Sequence, residues 1–182
     1  MTRFFDFLLA LLFFLVMLPL LALIFLLGLV DTGSPIFKQV RLGKDEQTFV
    51  LLKFRTMKLN SPSVASHLAS SSDVTNLGRF LRKTKLDELP QLINVLKGEM
   101  SLVGPRPNLL NQLELISERR KMGVYSVLPG VTGLAQISGV DMSTPSNLAQ
   151  KDLEGIKSRS LRMYFLILWK TVSGKGIGDT IG

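Results

Sequence analysis

Hydrophobic and polar residues are distributed very unevenly along this chain. Positions 7–30 read FLLALLFFLVMLPLLALIFLLGLV, 24 residues without a charge. Beyond them the apolar residues fall into short periodic groups. Alternation at 36–40 and 49–54, joined through 41–46, predicts a small β-ribbon. The Ser-rich stretch 60–73, which holds His67, reads as a loop. A short helix is expected at 75–82. Leu89, Leu92, Ile93 and Leu96 then recur at i, i+3, i+4 and i+7, predicting a helix over 88–97. Asp87 suits its N-cap, Pro90 is tolerated in its first turn, and Gly98 suits its exit. A rigid Gly104-Pro105-Arg106-Pro107 turn follows. Asn108 is then placed to cap a helix running to Lys121, with Arg119, Arg120 and Lys121 at its negative end. Residues 129–139 read as a Gly-punctuated loop, 159–173 as a last helix, and 174–182 as a flexible tail. The expected fold class is mainly α with a small β-ribbon (α+β).

The apolar segment would be about 36 Å long as a straight helix, enough to cross a hydrocarbon core. Its length and the lack of an A-x-A site downstream argue against a cleaved signal peptide. Pro19 lies at its midpoint, where it removes one backbone hydrogen bond and crowds the Leu15 carbonyl. Basic residues flank both ends, Arg3 on one side and Lys38, Arg41, Lys44 and Lys53 on the other. Positive flanks mark the cytoplasmic side, so a re-entrant helix–break–helix hairpin satisfies both ends, and a Pro-kinked span is the alternative. The expected division is a membrane hairpin at 1–32, a compact cytoplasmic catalytic domain at 33–173 and the tail. In the last helix Tyr164 and Trp169 would sit at headgroup depth if it lies in the interface beside anionic lipid; an ordinary core helix fits the pattern equally well.

Composition narrows the chemistry. The chain has no Cys and one His, which removes disulfides, thiolate metal sites and a cysteine nucleophile, and leaves His67 as the sole candidate for any triad. The net charge of +8 raises the possibility of nucleic acid, but a membrane-tethered chain with few aromatics outside its apolar runs is better matched to anionic lipid and phosphorylated substrates. The Gly-rich tail lacks the strand and helix a dinucleotide loop needs.

Carboxylates and cations are what remain. Asp87 and Glu88 stand together where acids commonly cap a helix. Arg79, Arg82, Lys83 and Lys85 precede them, and Arg106 follows between two prolines. Such a cluster suits phosphate. A carboxylate inside it would repel that ligand unless a divalent cation bridges the two or the carboxylate itself attacks, and either case means phosphoryl chemistry.

Five strings complete the picture: Pro35-Ile36-Phe37-Lys38-Gln39-Val40-Arg41-Leu42-Gly43, Lys53-Phe54-Arg55-Thr56-Met57, Leu86-Asp87-Glu88-Leu89-Pro90-Gln91-Leu92-Ile93-Asn94-Val95, Ser101-Leu102-Val103-Gly104-Pro105-Arg106-Pro107 and Pro129-Gly130-Val131-Thr132-Gly133-Leu134-Ala135-Gln136. In these, and in their order, the chain resembles the bacterial sugar transferases, the small monotopic phosphoglycosyl transferases. The resemblance implies transfer of a sugar-1-phosphate from a UDP-sugar to polyprenyl (undecaprenyl) phosphate, with release of UMP, at the cytoplasmic face of the bacterial inner membrane. It implies Asp87 as a nucleophile forming an aspartyl phosphosugar, and Glu88 as the second acid, the two holding Mg²⁺. Arg82, Arg106 with Pro105 and Pro107, and Lys53 and Arg55 would bind phosphate or substrate. Pro19 matches the break of a re-entrant hairpin, Arg3 and Asp6 an Arg-x-x-Asp motif, and amphipathic helices would rest on the interface. Downstream glycosyltransferases would be partners. Leu128 stands where the family commonly has Arg, Glu154 and Gly155 where tyrosines are usual, and Tyr164 where an acid is frequent. Leu128 and Tyr164 motivate the alternative of a non-catalytic membrane scaffold in a polysaccharide assembly complex.

Overall fold

A computed structural model describes residues 2–61 and 71–174. His67 and the tail beyond Gly174 lie outside the described residues. Among those described the chain is mostly helical, with two small two-stranded sheets.

Helix α1 runs Thr2–Thr32 and contains Pro19. The two separate helices expected around that proline are not found, and the element is one continuous helix. Proline forfeits a single N–H donor there, whereas opening the turns around it would leave several backbone groups unpaired among apolar side chains. The two ends of α1 reach the same body. Ala10 packs with Val95, Met100, Leu102 and Tyr164, and Ile24 packs with Phe54 and Leu81. Between them Leu12, Phe13, Leu15, Val16 and Leu18 are exposed.

The ribbon forms as the alternation predicts: β1 (Ile36–Leu42) pairs antiparallel with β2 (Thr48–Phe54), with Gln39 opposite Leu51 and Phe37 opposite Lys53. One face of it carries Gln39, Arg41, Leu51 and Lys53, all buried. Helix α2 (Asn76–Thr84) is capped by the Thr75 hydroxyl, which accepts from the Gly78 N–H at 2.9 Å. A Cβ on Gly78 would lie 2.0 Å from the Thr56 carbonyl oxygen, so only glycine lets α2 approach so closely.

The expected 88–97 helix divides in two. Leu86–Glu88 is a 3-10 turn, and α3 begins only at Gln91 after Pro90. Asp87 is therefore not an α-helical N-cap. Gly98 closes α3 with φ 89°, as the sequence requires. Strand β3 (Ser101–Val103) pairs in parallel with β4 (Gly130–Thr132), which lies inside the stretch read as loop. Three-residue strands have too little alternation to be recognised. Their approach depends on glycine, since a Cβ on Gly130 would meet the Gly104 nitrogen at 2.0 Å.

Helix α4 spans Leu113–Lys121, starting five residues later than Asn108, which is fully buried and bridges to Leu42. Helices α5 (Leu134–Ile137), α6 (Pro145–Lys157) and α7 (Leu161–Val172) complete the domain. Only α7 was expected. Tyr164 in α7 is buried, not at an interface, because its hydroxyl donates to Asp6 Oδ1 at 2.8 Å. Trp169 is 72% exposed, on a stripe with Phe165 and Val172.

Candidate active site around the Pro-Arg-Pro turn

The acidic pair sits where α2, β2 and the Pro-Arg-Pro turn converge. Lys85, in the left-handed region at φ 59°, ends α2 and starts the 3-10 turn that carries Asp87 and Glu88. Asp87 is 4% exposed. Glu88 Oε1 accepts from Arg106 Nη2 at 2.7 Å and from Lys53 Nζ at 3.3 Å. A nearly buried carboxylate beside two cations and a second acid is thus built from four of the predicted residues. Removal from water strengthens these interactions well beyond those of surface pairs.

Asn94 sets the position of this turn. Its Oδ1 accepts from the Leu52 N–H at 3.1 Å, and its Nδ2 donates to the Val50 carbonyl at 2.8 Å. It thereby locks α3 onto β2 one residue from Lys53. The Pro-Arg-Pro turn is gripped by two buried guanidiniums. Arg41 Nη1 donates to the Pro107 carbonyl at 3.1 Å, and Arg119 Nη1 donates to the Arg106 carbonyl at 2.8 Å. Arg119 also donates to Asn108 Oδ1, which Tyr125 reaches too, and through Nε and Nη2 to Asp152 Oδ2 at 3.0 and 2.6 Å. The Pro105 carbonyl accepts from the Gly130 N–H. Arg106 is therefore aimed from a backbone fixed on both sides.

The other predicted residues are placed differently. Arg82 Nε donates to Thr56 Oγ1 at 2.8 Å, while its buried Nη1 has no hydrogen-bond partner. Leaving such a donor unpaired is costly, and an anion would satisfy it. Arg55 is not in the cluster. It donates to the Ser34 carbonyl at 2.8 Å and stacks on Phe37, tying the chain after α1 to the ribbon. At the start of α1, Arg3 donates to the Met100 and Val95 carbonyls. Asp6 accepts from Ser101 Oγ, the Leu102 N–H and the Tyr164 hydroxyl. This motif is an anchor that fastens α1 to β3.

A model of the bacterial sugar transferases matches residues 1–175. The chain belongs to the bacterial sugar transferase family. It is 40% identical over 153 residues to the uncharacterized sugar transferase EpsL of Bacillus subtilis, covering 81% of this chain and 75% of that protein. An uncharacterized sugar transferase of Haemophilus influenzae is 40% identical over 161 residues, covering 79% of this chain and 34% of that one. A UDP-glucose:undecaprenyl-phosphate glucose-1-phosphate transferase of Escherichia coli is 39% identical over 177 residues, covering 92% of this chain and 38% of that one. This chain thus spans about a third of the longer relatives.

The five sequence strings that carry the family resemblance are joined by hydrogen bonds at this one place. The first carries β1 and the second the end of β2 at Lys53 and Phe54, the third is the acidic turn with α3, and the last two carry the β3–β4 pair. Sequence reasoning missed Asn94, Asn108 and the buried pairing of Arg119 with Asp152. Asn94 and Arg41 lie within the strings that carry the resemblance, and that membership was the available signal.

Proposed function

We propose that this chain transfers a sugar-1-phosphate from a UDP-sugar to polyprenyl (undecaprenyl) phosphate, with Asp87 as the nucleophile. The observation that carries this reading is the buried Asp87 beside the Lys53–Glu88–Arg106 cluster, in a family whose relatives are named for such transfers. An Asp87 carboxylate oxygen attacks the sugar-bearing phosphorus. The bond from that phosphorus to the bridging oxygen breaks, and UMP leaves. An oxygen of polyprenyl phosphate then attacks the aspartyl phosphosugar, releasing the lipid-linked product and restoring the carboxylate. Arg106, drawn from Glu88 onto the incoming diphosphate, stabilises charge as it develops, and the unpaired Nη1 of Arg82 offers a second donor.

Two adjacent carboxylates fit Mg²⁺, which usually takes one or two acids and completes its shell with water and substrate phosphates. No group of three or more His, Cys, Asp or Glu suited to a metal is found among the described residues, so any bound Mg²⁺ would depend on the substrate. Asp87 and Glu88 would hold it, and it would neutralise phosphate charge when bound.

The membrane reading rests on α1, which is long and apolar enough to cross a bilayer, with mean hydropathy 3.1. A straight span would carry its ends to opposite sides. Contact of Asp6 and Ala10, and again of Ile24 and Gly28, with one body supports instead a continuous helix kinked at Pro19 that enters and returns by the cytoplasmic face of the inner membrane. The exposed Phe165, Trp169 and Val172 of α7 would rest on the same surface.

The deciding experiment measures UMP release from a panel of UDP-sugars by the full chain in detergent. Wild-type release with none from Asp87→Asn is expected, and a phosphosugar adduct on Asp87 should appear by mass spectrometry when the acceptor is withheld. Turnover by Asp87→Asn at the wild-type rate would refute the nucleophile.

A further inference from the structure

Behind the Pro-Arg-Pro turn lies a partly open pocket bordered by the turn, the β4–α5 connection and helices α6 and α7. Its walls are mainly hydrocarbon, including Leu128, Leu134, Ile156 and Ile167, as the walls of small-molecule sites commonly are. Pro105 lines it, and Pro105 is bonded directly to Arg106, whose side chain faces the acidic pair. Two charged residues reach it, Asp152 and Arg159. Both hydrogen bonds from Arg119 fall on Asp152 Oδ2, so Oδ1 is the oxygen left to the cavity. Three positions where the sequence departs from the motif pattern, Leu128, Gly155 and Tyr164, also line it.

The lining selects among the parts of the substrates. A phosphate would be repelled by Asp152. A sugar presents several hydroxyls, each needing a partner that a hydrocarbon wall does not offer. A polyprenyl chain has no donor for a buried carboxylate. A pyrimidine dione has two apolar faces, one imide N–H donor and two carbonyl acceptors, which match the walls, Asp152 and Arg159 respectively.

Resting on the function proposed above, we infer that this cavity holds the uracil ring of the donor nucleotide, with Asp152 Oδ1 accepting from its imide N–H. A diphosphate lying against Arg106 and a nucleoside lying against Pro105 would then meet consecutive residues of one turn. Burial pushes the Asp152 carboxyl above its usual range despite Arg119, and a donor on Oδ1 favours the ionised form.

The test is calorimetric binding of UMP and of 3-methyluridine monophosphate to the full chain in detergent. The second probe carries a methyl group in place of the imide hydrogen. UMP should bind about ten-fold or more tightly than the methylated nucleotide, as the loss of a hydrogen bond to a charged group requires. Leu128→Trp and Ile156→Phe, on separate elements, should each weaken UMP about ten-fold by filling the cavity, and should raise the KM for the UDP-sugar but not for polyprenyl phosphate. Equal affinity of the wild type for the two nucleotides overturns the assignment, and so do folded variants that shift the acceptor KM instead. A wild type that discriminates the nucleotides yet releases no UMP from any UDP-sugar refutes the function and keeps the cavity.

Discussion

Arg119 and Arg120 are consecutive residues at the end of α4, and each donates through Nε and Nη2 to a carboxylate. The inner one meets Asp152 with side chains 1% and 3% exposed. The outer one meets Glu46 with side chains 61% and 35% exposed. The same chemistry has opposite consequences. On the outside, the hydrogen bond from Arg120 holds the Glu46 carboxyl below its usual range. On the inside, burial outweighs the guanidinium and lifts Asp152. The outer pair is solvated and screened, whereas the inner one fixes the Arg106 carbonyl and with it the direction of the Arg106 guanidinium. What separates a surface ion pair from part of a candidate active site is the water excluded from it.

The sharpest way to break this contrast is to remove the inner carboxylate. Asp152→Ala should cost about 3–5 kcal/mol of stability, because it strands a buried guanidinium. Denaturant unfolding of the full chain in detergent would measure it. Replacing both partners, as in Arg119→Met with Asp152→Leu, should recover part of that loss, since apolar side chains of similar volume remove the stranded charge while the Arg106 carbonyl still loses its donor. If the pair also aims Arg106, the rate of UMP release should stay low in the double variant. Full recovery of rate along with stability would show the pair to be scaffolding alone.

Next in size is the group that the pair aims. Arg106→Lys should lower UMP release by about 10²–10³-fold, the usual loss for one donor to developing phosphoryl charge, with little change in melting temperature. Lysine keeps the charge but not the planar fork. An equal loss in Arg55→Lys would contradict the placement of Arg55 on Ser34, outside the cluster.

Much of this site is legible in the sequence. The Asp87-Glu88 pair, Arg106 between two prolines, and Lys53 were recognisable because each belongs to a compact string whose residue types are unusual together. Arg119 was not. In sequence it is one of three basic residues closing a helix, and the favourable interaction with the helix dipole explains all three equally well. Only the packing of α6 against α4 makes it different, and α6 itself lay in a stretch with no clear apolar repeat. Strands β3 and β4 were missed because their pairing is set by the glycines that let two backbones touch, not by alternation. The α1 helix shows the reverse error. Proline has a strong local signature, but one lost hydrogen bond was not enough to end a helix whose neighbours are all apolar.

A smaller effect tests the anchor of α1. Tyr164→Phe deletes one of the hydrogen bonds to the buried Asp6 carboxylate and leaves those from Ser101 and Leu102. The expected loss is about 1.5–3 kcal/mol, typical of a hydrogen bond to a charged group. Burial and the Asp6 carboxylate both push the phenol pKa up, so Tyr164 stays protonated and remains a donor throughout the ordinary pH range. The stability difference between wild type and Tyr164→Phe should therefore be flat from about pH 6 to pH 9, near the middle of that range. A dependence there would mean that another group titrates with the phenol.

The smallest effects come from titrating the two pairs, and their signs are opposite. Glu46 has its carboxyl pKa lowered by folding. The folded chain thus binds fewer protons than the unfolded one near that pKa, and the contribution is present above the unfolded value and lost as pH falls. Asp152 has its carboxyl raised. The folded chain binds more protons in the window above the ordinary carboxylate value of about 4, so this contribution is present below it and declines as pH rises through the folded pKa. Unfolding followed upward from about pH 4 should accordingly show wild type losing stability relative to Asp152→Asn, while gaining slightly or not at all relative to Glu46→Gln. Salt should erase the Glu46 difference and leave the Asp152 one, since only the exposed pair is screened. Parallel slopes for the two variants would mean that water reaches Asp152 as freely as it reaches Glu46, and the physical distinction between the two faces of α4 would disappear.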